Sequence, residues 1–301
     1  MTDLTVRLGP LRLRSPLVAA AGTVGSVHDF ADVEALGVYG AAVAKSVSHQ
    51  PWPGRPPPRI APAGAGMLNG IGIQNPGIDR WRTTMPDPAT LPVPLWGSAV
   101  GGDAAEFALV AKGLAAAGVV AVEVNLSCPN LEEGTMFALR PAAAAGVVSA
   151  VRAAVDVPIG AKLSPNSEDI VAAARAVVDA GADFVVLTNT VWGLGIDLET
   201  RSPKLSGNVG GYSGPPLKPI ALRCVWEVAA ALDVPIVGCG GVRSGDDVVE
   251  YLLAGASAVA IGSAHFAAPR IGKHILHELR AWCGREGVAA VSSLTGAAHR
   301  P

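Results

Sequence analysis

The feature that most constrains the fold of this chain is a short apolar run that recurs eight times. Each run is rich in small and β-branched residues, is too short for a helix, and is apolar on both faces, as buried parallel strands are. The eight runs are Pro16–Gly22, Gly40–Val47, Pro94–Val100, Ala121–Ser127, Pro158–Ser164, Asp183–Thr190, Pro235–Val242 and Ala258–Ala264. They predict eight strands of one parallel sheet.

Helical segments, most of them rich in alanine, lie between or after these runs. They are Ala104–Ala117, Ala142–Val155, Ile170–Ala180, Pro216–Leu232 and Asp246–Ala254, with a closing helix near Arg270–Cys283. Alternation of strand and helix predicts an α/β fold with a parallel sheet, and eight such units predict closure into a (β/α)8 TIM barrel. An open doubly wound sheet is the alternative, but eight strands in a chain of barrel size favour closure.

A small hairpin is predicted ahead of the first run. Thr5–Leu8 and Leu11–Leu13 flank the turn pair Gly9–Pro10, and we expect this hairpin to cap the bottom of the barrel. The longest Pro-rich stretch, Pro51–Pro58, lies between segments of the same repeating pattern rather than between two domains. Residues 1–301 are therefore expected to form a single domain.

Charge and cysteine content argue against several classes of function. A net charge of -2 and a pI of about 6.3 argue against a nucleic-acid or acidic membrane partner held by a basic field. No run is long enough to span a membrane and no signal-peptide core is apparent, so a cytoplasmic location is expected. The four cysteines lie far apart without a Cys-x-x-Cys pair, which predicts no metal site, no iron–sulfur cluster and no disulfide.

Polar residues directly follow several of the predicted strands, where the active sites of barrels lie. Lys45–Ser46, Asn125–Asn130, Lys162–Ser164 and Asn189–Thr190 end the second, fourth, fifth and sixth runs. A lysine at such a position is costly to desolvate unless it meets an anion or a ring acceptor. These positions therefore favour a ligand, and the alternative for either lysine alone is a stem that reaches solvent at the rim.

Glycines follow the last two strands. Gly240–Gly241 and Gly262–Ser263 provide backbone that can approach a ligand closely, in the part of a barrel that commonly holds a phosphate. Tight turns alone also require glycine. The position after strands 7 and 8 favours the first explanation and predicts a phosphate-bearing cofactor.

Cys128 ends the fourth run at the mouth of the predicted barrel, between Ser127 and Pro129. Most unpaired cysteines are small buried hydrophobes, and Cys224 and Cys239 are assigned to that class. No Ser/His/Asp or Cys/His constellation is apparent near Cys128, so proton transfer is favoured over acyl chemistry. An ordinary thiol pKa of about 8.5 makes such a base more effective as pH rises.

Two connections are too long for simple turns, and long loops on a compact barrel usually carry function. They run from Ser48 to Asn75 and from Val191 to Pro215. The first contains Asn69–Asn75, whose glycines and amides can present backbone and side-chain donors to a planar polar ligand. Surface turn chemistry explains isolated Asn and Gly equally well.

The ordered set of motifs resembles the class 1 dihydroorotate dehydrogenases, FMN barrels that oxidise dihydroorotate to orotate in pyrimidine synthesis. The resemblance covers nearly the whole chain. Its motifs are Ala21–Thr23, Lys45–Ser46, Asn69–Asn75, Asn125–Asn130, Lys162–Asn166, Asn189–Thr190, Ser213–Pro215, Gly240–Gly241 and Gly262–Ser263.

This resemblance implies roles for individual residues. Cys128 would remove the proton from C5 of dihydroorotate while C6 delivers hydride to flavin N5, and Lys162 would face the flavin N1/O2 edge. The implied substrate-binding residues are Lys45, Asn69, Gly70, Ile71, Gly72, Ile73, Asn125, Asn189 and Thr190. The implied FMN-binding residues are Ala21, Lys45, Ser46, Asn125, Lys162, Thr188, Gly214, Gly240, Gly241, Gly262 and Ser263.

The segment Asn130–Gly134 resembles the B type of this class, which passes electrons to NAD through a partner subunit holding FAD and a [2Fe–2S] cluster. The absence of cluster cysteines in this chain agrees with that division of labour. The family is commonly dimeric, and its B type forms a heterotetramer with the iron–sulfur flavoprotein. Three residues depart from the family pattern: Ala21 stands where serine is common, Thr188 replaces an apolar residue, and Thr135 replaces a glycine.

Three other functions remain as alternatives. A related flavin barrel acting on another pyrimidine has a similar Asn-x-Ser-Cys-Pro segment but usually carries His where Asn130 stands. A tRNA-modifying flavin barrel is expected to show a basic face, which the net charge of -2 does not support. An inactive FMN-binding scaffold is the non-enzymatic alternative, since a misplaced loop can silence an intact site.

Overall fold

The computed structural model describes residues 2–127 and 136–300. Its centre is a closed barrel of eight parallel strands that follow one another around the barrel in chain order. The strands are β1 Leu17–Ala19, β2 Ala41–Val43, β3 Leu95–Ala99, β4 Ala121–Asn125, β5 Ile159–Leu163, β6 Phe184–Leu187, β7 Ile236–Cys239 and β8 Ala258–Ile261. Closure is completed where β8 pairs with β1, with Val259 opposite Leu17. The predicted (β/α)8 barrel is confirmed, and each strand lies inside its predicted run.

Helices cover the outside of the barrel. They are α1 Ile78–Thr84, α2 Ala104–Ala116, α3 Pro141–Ala154, α4 Ile170–Asp179, α5 Lys218–Ala231, α6 Gly245–Leu253, α7 Ala264–Ala267 and α8 Ile271–Arg285. Each of the six predicted helices is present to within two residues at either end. The sequence analysis did not predict α1 or the single turn α7, because both are too short to show a helical period.

Local caps explain where several of these helices begin. The Asp103 side chain accepts from the backbone N–H of Glu106 at the start of α2, and Ser244 and Asp247 form a reciprocal capping box at the start of α6. Each such cap stabilises its helix by about 1 kcal/mol. These caps allow α2 to begin within a few residues of the end of β3, and α6 within a few residues of the end of β7.

The N-terminal hairpin pairs Val6–Leu8 with Leu11–Leu13 in antiparallel register. Gly9 in its turn has a φ of 58°, and a Cβ there would lie 3.1 Å from the carbonyl oxygen of Asp183, immediately before β6. Contact with the start of a barrel strand places the hairpin at the N-terminal end of the barrel. The prediction that it caps the bottom is confirmed.

The two long connections meet above the opposite end and form a four-stranded antiparallel sheet, here named the cap sheet. Its strands are Val191–Gly193, Gly210–Ser213, Gly66–Asn69 and Ile60–Ala63, in that spatial order. A two-stranded ribbon of Ile196–Asp197 and Ser202–Pro203 extends from it. The sequence analysis treated both connections as loops, because strands of two to four residues interrupted by Gly and Pro show no alternating pattern.

Aromatic side chains fill the lower part of the barrel interior. The rings of Trp96 on β3 and Phe184 on β6 lie 5.1 Å apart between centroids, and both residues are fully buried. A Cβ at Gly160 on β5 would overlap the Phe184 ring, so this position has room only for glycine. The interior is thus packed below and becomes polar only toward the C-terminal ends of the strands.

Candidate active site

The barrel opens into a cavity of about 570 Å³ at the C-terminal ends of its strands. This volume lies within the usual range for a pocket that encloses a cofactor or a small ligand. Ile60, Met67 and Asn69 of the cap sheet form part of its wall. The cavity is therefore built from strand ends on one side and from the two long connections on the other.

Most of the residues predicted to bind ligands line this cavity together. They are Ala21, Lys45, Ser46, Asn69, Ile71, Ile73, Asn125, Lys162, Thr188, Asn189, Thr190, Gly214, Gly240, Gly241, Gly262 and Ser263. Gly70 and Gly72, also predicted to bind the substrate, are not among the lining residues, and an added Cβ at Gly72 would lie 2.6 Å from the backbone nitrogen of Arg55. Cys128, Asn130 and Thr135 lie outside the residues that the structure describes.

The cavity also contains residues that the sequence analysis did not assign to a site. They are Ala20, Gly22, Thr23, Ile60, Met67, Ser213, Leu217, Cys239, Val242 and Phe266. Gly22 and Thr23 follow β1 as Gly240 and Gly241 follow β7, so the strand-end rule could have identified them. Nothing comparable marks Ile60 and Met67, which reach the cavity only because the cap sheet folds over it.

An amide cluster joins the ends of β4 and β6. The Asn189 side-chain nitrogen donates to Ser127 Oγ at 2.9 Å and to Asn125 Oδ1 at 3.3 Å. Thr190 donates its backbone N–H to Asn189 Oδ1 at 2.8 Å, which orients the amide. Fixed donors and acceptors at one wall suit a planar ligand with amide-like edges.

A second polar group lies where the cap sheet meets β6. Asn69 Nδ2 donates to the carbonyl oxygen of Gly211 at 3.1 Å, and the residues stand opposite each other in the sheet. A Cβ at Gly211 would overlap Thr190 Oγ1, so glycine is required for Thr190 and Asn69 to come together here. The cap sheet and the barrel thus present polar side chains to the same cavity.

A buried ion pair forms part of the cavity floor. Lys162 Nζ lies 3.6 Å from Glu123 Oε1, and the side chains are only 7% and 3% exposed. Glu123 also accepts a hydrogen bond from Ser98 Oγ at 3.4 Å. Lys162 lines the cavity from this position, so a cation anchored in the core faces the ligand space.

Glycine backbone forms the wall next to β7, β8 and β1. Gly214, Gly240 and Gly241 have φ angles of 104°, 147° and 70°, a region that other residues rarely adopt. A Cβ at Gly22 would meet nothing within 4 Å, and one at Gly262 would meet only Ala20 Cβ at 4.0 Å. These loops therefore border open space, which fits a phosphate-bearing cofactor held by backbone N–H groups.

Comparison with known proteins agrees with this geometry. The family model for dihydroorotate dehydrogenase matches residues 3–282. The chain belongs to the dihydroorotate dehydrogenase family. The predicted resemblance is thereby confirmed.

Relatives of this family member carry a name that includes the subtype. A protein of Pelobacter propionicus is 45% identical over 298 residues, covering 98% of each chain, and one of Anoxybacillus flavithermus is 42% identical, covering 98% of this chain and 96% of its own. Both are named dihydroorotate dehydrogenase B (NAD(+)), catalytic subunit. The predicted similarity to the B type is confirmed by these relatives.

A solved structure shows that the fold is shared as well. The dihydroorotate dehydrogenase of Eimeria tenella, determined in complex with ferulenol, superimposes with a TM-score of 0.83 over 99% of this chain and 89% of its own. At 20% sequence identity this similarity shows a shared fold and nothing further. Among the residues that the structure describes, no helix combines the length and apolar character needed to cross a bilayer, and no group of three or more His, Cys, Asp and Glu side chains could hold a metal ion.

In this dihydroorotate dehydrogenase barrel a row of hydrogen-bonded, mostly buried side chains holds the loop that follows β1. His265 Nδ1 lies 3.0 Å from Thr23 Oγ1 and its Nε2 lies 2.9 Å from Tyr39 OH, while Tyr39 donates to Glu34 Oε2 at 2.6 Å. Burial lowers the pKa of His265 to about 4, although its hydrogen bond with the Gly262 backbone acts in the opposite direction. The imidazole is therefore neutral at pH 7, and its hydrogen bonds connect Thr23 in the β1 loop to Tyr39.

Cys239 at the end of β7 is buried, as expected, and it also borders the cavity. The sequence analysis assigned it to the core, and it is only 8% exposed. Burial raises the pKa of its thiol, against the opposing effect of Lys162 nearby. Cys239 therefore remains a protonated, largely apolar wall of the site at neutral pH.

Proposed function

We propose that this chain is the catalytic subunit of a B-type dihydroorotate dehydrogenase, an FMN-dependent enzyme that oxidises dihydroorotate to orotate in pyrimidine biosynthesis. One observation carries the proposal. The buried Lys162, the amide cluster and a wall of glycine backbone, here named the glycine cradle (Gly22, Gly214, Gly240, Gly241 and Gly262), border the same cavity of a chain in this family. In the proposed reaction the lysine faces the flavin ring, the amides bind the pyrimidine ring, and the glycine backbone binds the phosphate of FMN. Residues 1–301 form one catalytic domain in this proposal.

The glycine cradle and the floor would hold FMN. Gly22, Gly240, Gly241 and Gly262 line the cavity, and an added Cβ at Gly22 or Gly262 would meet almost nothing within 4 Å. Backbone N–H groups at such loops are suited to anions. Bound FMN supplies the acceptor for the two electrons that dihydroorotate loses. Lys162 would place its positive charge beside the isoalloxazine ring, which stabilises negative charge there.

The substrate would lie between the floor and the cap sheet. Asn69, Asn125 and Asn189 offer amide donors and acceptors to the ring, and Lys45 offers a cation to the carboxylate. Their contacts with one another, such as Asn189 with Asn125, hold the amides in place before the substrate arrives. Such preorganisation lowers the entropic cost of orienting the ring.

Cys128 is proposed as the base that takes the proton from C5. It lies outside the described residues, so this role rests on its position in the sequence and on the family. Ser127, the residue before it, is held by Asn189 at 2.9 Å, which supports a fixed chain direction at the start of that segment. Proton transfer from C5 accompanies hydride departure from C6.

A partner subunit would take the electrons onward. The relatives' name, catalytic subunit, supports the existence of such a partner. We propose that it holds FAD and a [2Fe–2S] cluster and reduces NAD, and that two copies of each subunit assemble around a homodimer of this chain in the cytoplasm. The chain itself would then need only FMN.

Cofactor analysis and a substrate panel test this function. The purified chain is expected to contain about one FMN per chain and to be reduced by dihydroorotate but not by dihydrouracil or dihydrothymine. Reduction by one of the other pyrimidines instead would replace the substrate assignment. Bound FMN without reduction by any of them would favour an inactive scaffold.

A further inference from the structure

The ion pair between Glu123 and Lys162 is unusual because it lies in the barrel interior rather than at the surface. Glu123 is 2% exposed and Lys162 is 6% exposed. They come from adjacent strands, β4 and β5, where Asn125 is the direct neighbour of Lys162 and Glu123 lies one inward position lower. Burying two charges costs several kcal/mol per ion, so such a pair is weak evidence for stability and invites a functional explanation.

The carboxylate is held in a network that leads to the substrate side of the cavity. Ser98 Oγ donates to Glu123 and lies 2.9 Å from Ser46 Oγ, and Asn125 Nδ2 contacts Ser46 Oγ at 3.4 Å. Asn125 in turn accepts from Asn189 at 3.3 Å. Hydrogen bonds thus connect the buried carboxylate to the amide cluster, and its direct partners Ser98 and Lys162 come from the adjacent strands β3 and β5.

We propose that Glu123 is a positioning residue that holds Lys162 at the flavin face of the cavity and offsets part of its charge, and that it thereby sets the reduction potential of bound FMN. The inference rests on the proposed function, because it requires FMN in this cavity. Lys162 alone would strongly favour an anionic reduced flavin. The carboxylate at 3.6 Å weakens that preference, so the flavin remains able to pass its electrons onward.

The variant Glu123→Gln tests the proposal because it keeps the shape and removes the charge. With the negative charge beside Lys162 removed, the ratio of reduced to oxidised flavin at equilibrium with an indicator dye is expected to rise about tenfold, which is about 30 mV for a two-electron couple. Glu123→Asp keeps the charge and lengthens the pair, and it is expected to shift the ratio by less than Glu123→Gln does.

The same substitution in a variant that lacks Lys162 shows whether Glu123 acts through that lysine. Lys162→Met is expected to lower the ratio of reduced to oxidised flavin, and in that background Glu123→Gln is expected to change it by less than about twofold. The reason is that, in this proposal, Glu123 affects the flavin through the position and the charge of Lys162. A full tenfold effect in the absence of Lys162 would overturn the proposal.

A matched control separates this effect from a loss of stability. Asp183→Asn removes the ion pair with Arg152, which spans 3.2 Å at the opposite end of the barrel, and it is expected to leave the flavin ratio unchanged. An unchanged or lowered ratio in Glu123→Gln contradicts the inference if the protein still binds FMN and is still reduced by dihydroorotate. If the wild type binds no FMN, the proposed function itself fails instead.

Discussion

The side-chain amide of Asn189 donates to the hydroxyl oxygen of Ser127 at 2.9 Å. These residues follow β6 and β4, which are not neighbours in the barrel, since β5 separates them. The contact therefore bridges the mouth of the barrel across one strand and fixes the last described residue before Cys128. In the proposed function the same amide also orients the substrate.

Removal of that amide is expected to affect the substrate more than the cofactor. In Asn189→Ala, kcat/KM for dihydroorotate is expected to fall about 10- to 100-fold, since a buried hydrogen-bond partner contributes about 1–3 kcal/mol. FMN content is expected to stay at the wild-type level. Steady-state kinetics with flavin quantification check both, and Asn208→Gly is the control, because Asn208 is exposed and has a φ of 60° that glycine also adopts. An equal loss in both variants would argue against the role of Asn189.

A methyl group at Gly262 is expected to weaken FMN binding without unfolding the protein. The Cβ of Gly262→Ala would meet only Ala20 Cβ at 4.0 Å, so the chain itself has room for it, whereas the proposed phosphate site does not. The Kd for FMN is expected to rise about tenfold or more, the equivalent of an overpacking cost of about 1–3 kcal/mol. Fluorescence titration of the flavin-free protein measures this change.

The matched control is Gly146→Ala on the exposed side of α3, where an added Cβ also meets nothing within 4 Å. It is expected to raise the free energy of unfolding by about 0.5–1 kcal/mol, because alanine is favoured over glycine in helices. Its affinity for FMN is expected to remain unchanged. Wild-type FMN affinity in Gly262→Ala would remove Gly262 from the cofactor site.

His265 is expected to make the stability of the fold depend on pH. Its pKa is about 4 in the folded chain and near 6.5 when unfolded, so the unfolded state binds the extra proton between these values. The stabilisation is fully present above pH 6.5 and is lost as pH falls toward 4, by up to about 3 kcal/mol. Denaturant unfolding at pH 7.5, 6.0 and 4.5 measures it.

Substitution of the imidazole separates this contribution from those of the carboxylates. His265→Gln keeps hydrogen-bonding atoms near Thr23 and Tyr39 but cannot titrate, so its stability is expected to fall less steeply than that of the wild type over this range. Parallel pH profiles of the two proteins would show that His265 does not contribute. His277→Gln, at an exposed position, is the matched control for the substitution itself.

The barrel was predictable because each of its strands is apolar on both faces and the signal repeats eight times. The rule that active sites of barrels lie at the C-terminal strand ends then singled out Lys162, Asn125 and Asn189, which lie at the ends of those runs. The cap sheet was not predictable in this way, since its pairing of Asn69 with Gly211 joins segments 142 residues apart and carries no local pattern. Long-range pairing of short strands depends on the finished barrel beneath them.

Residues that act from within the core were also missed. Glu123 occupies the middle of an apolar run, where one charged residue does not change the strand assignment, and only the structure places it beside Lys162. His265 and Thr23 lie 242 positions apart, so their contact has no signature in the sequence. Such residues become recognisable only when the partner that compensates their burial is known.

Anaerobic stopped-flow absorbance measures whether Cys128 starts the oxidation of dihydroorotate on this barrel. On mixing with dihydroorotate, wild-type flavin is expected to bleach at a rate that rises with pH toward the ordinary thiol pKa of about 8.5. Cys128→Ala is expected to bleach about 10²- to 10⁴-fold more slowly with FMN still bound, as loss of a general base requires. Equal bleaching rates in the two proteins, or a wild-type rate that does not change between pH 6.5 and 8.5, would show that Cys128 is not the base.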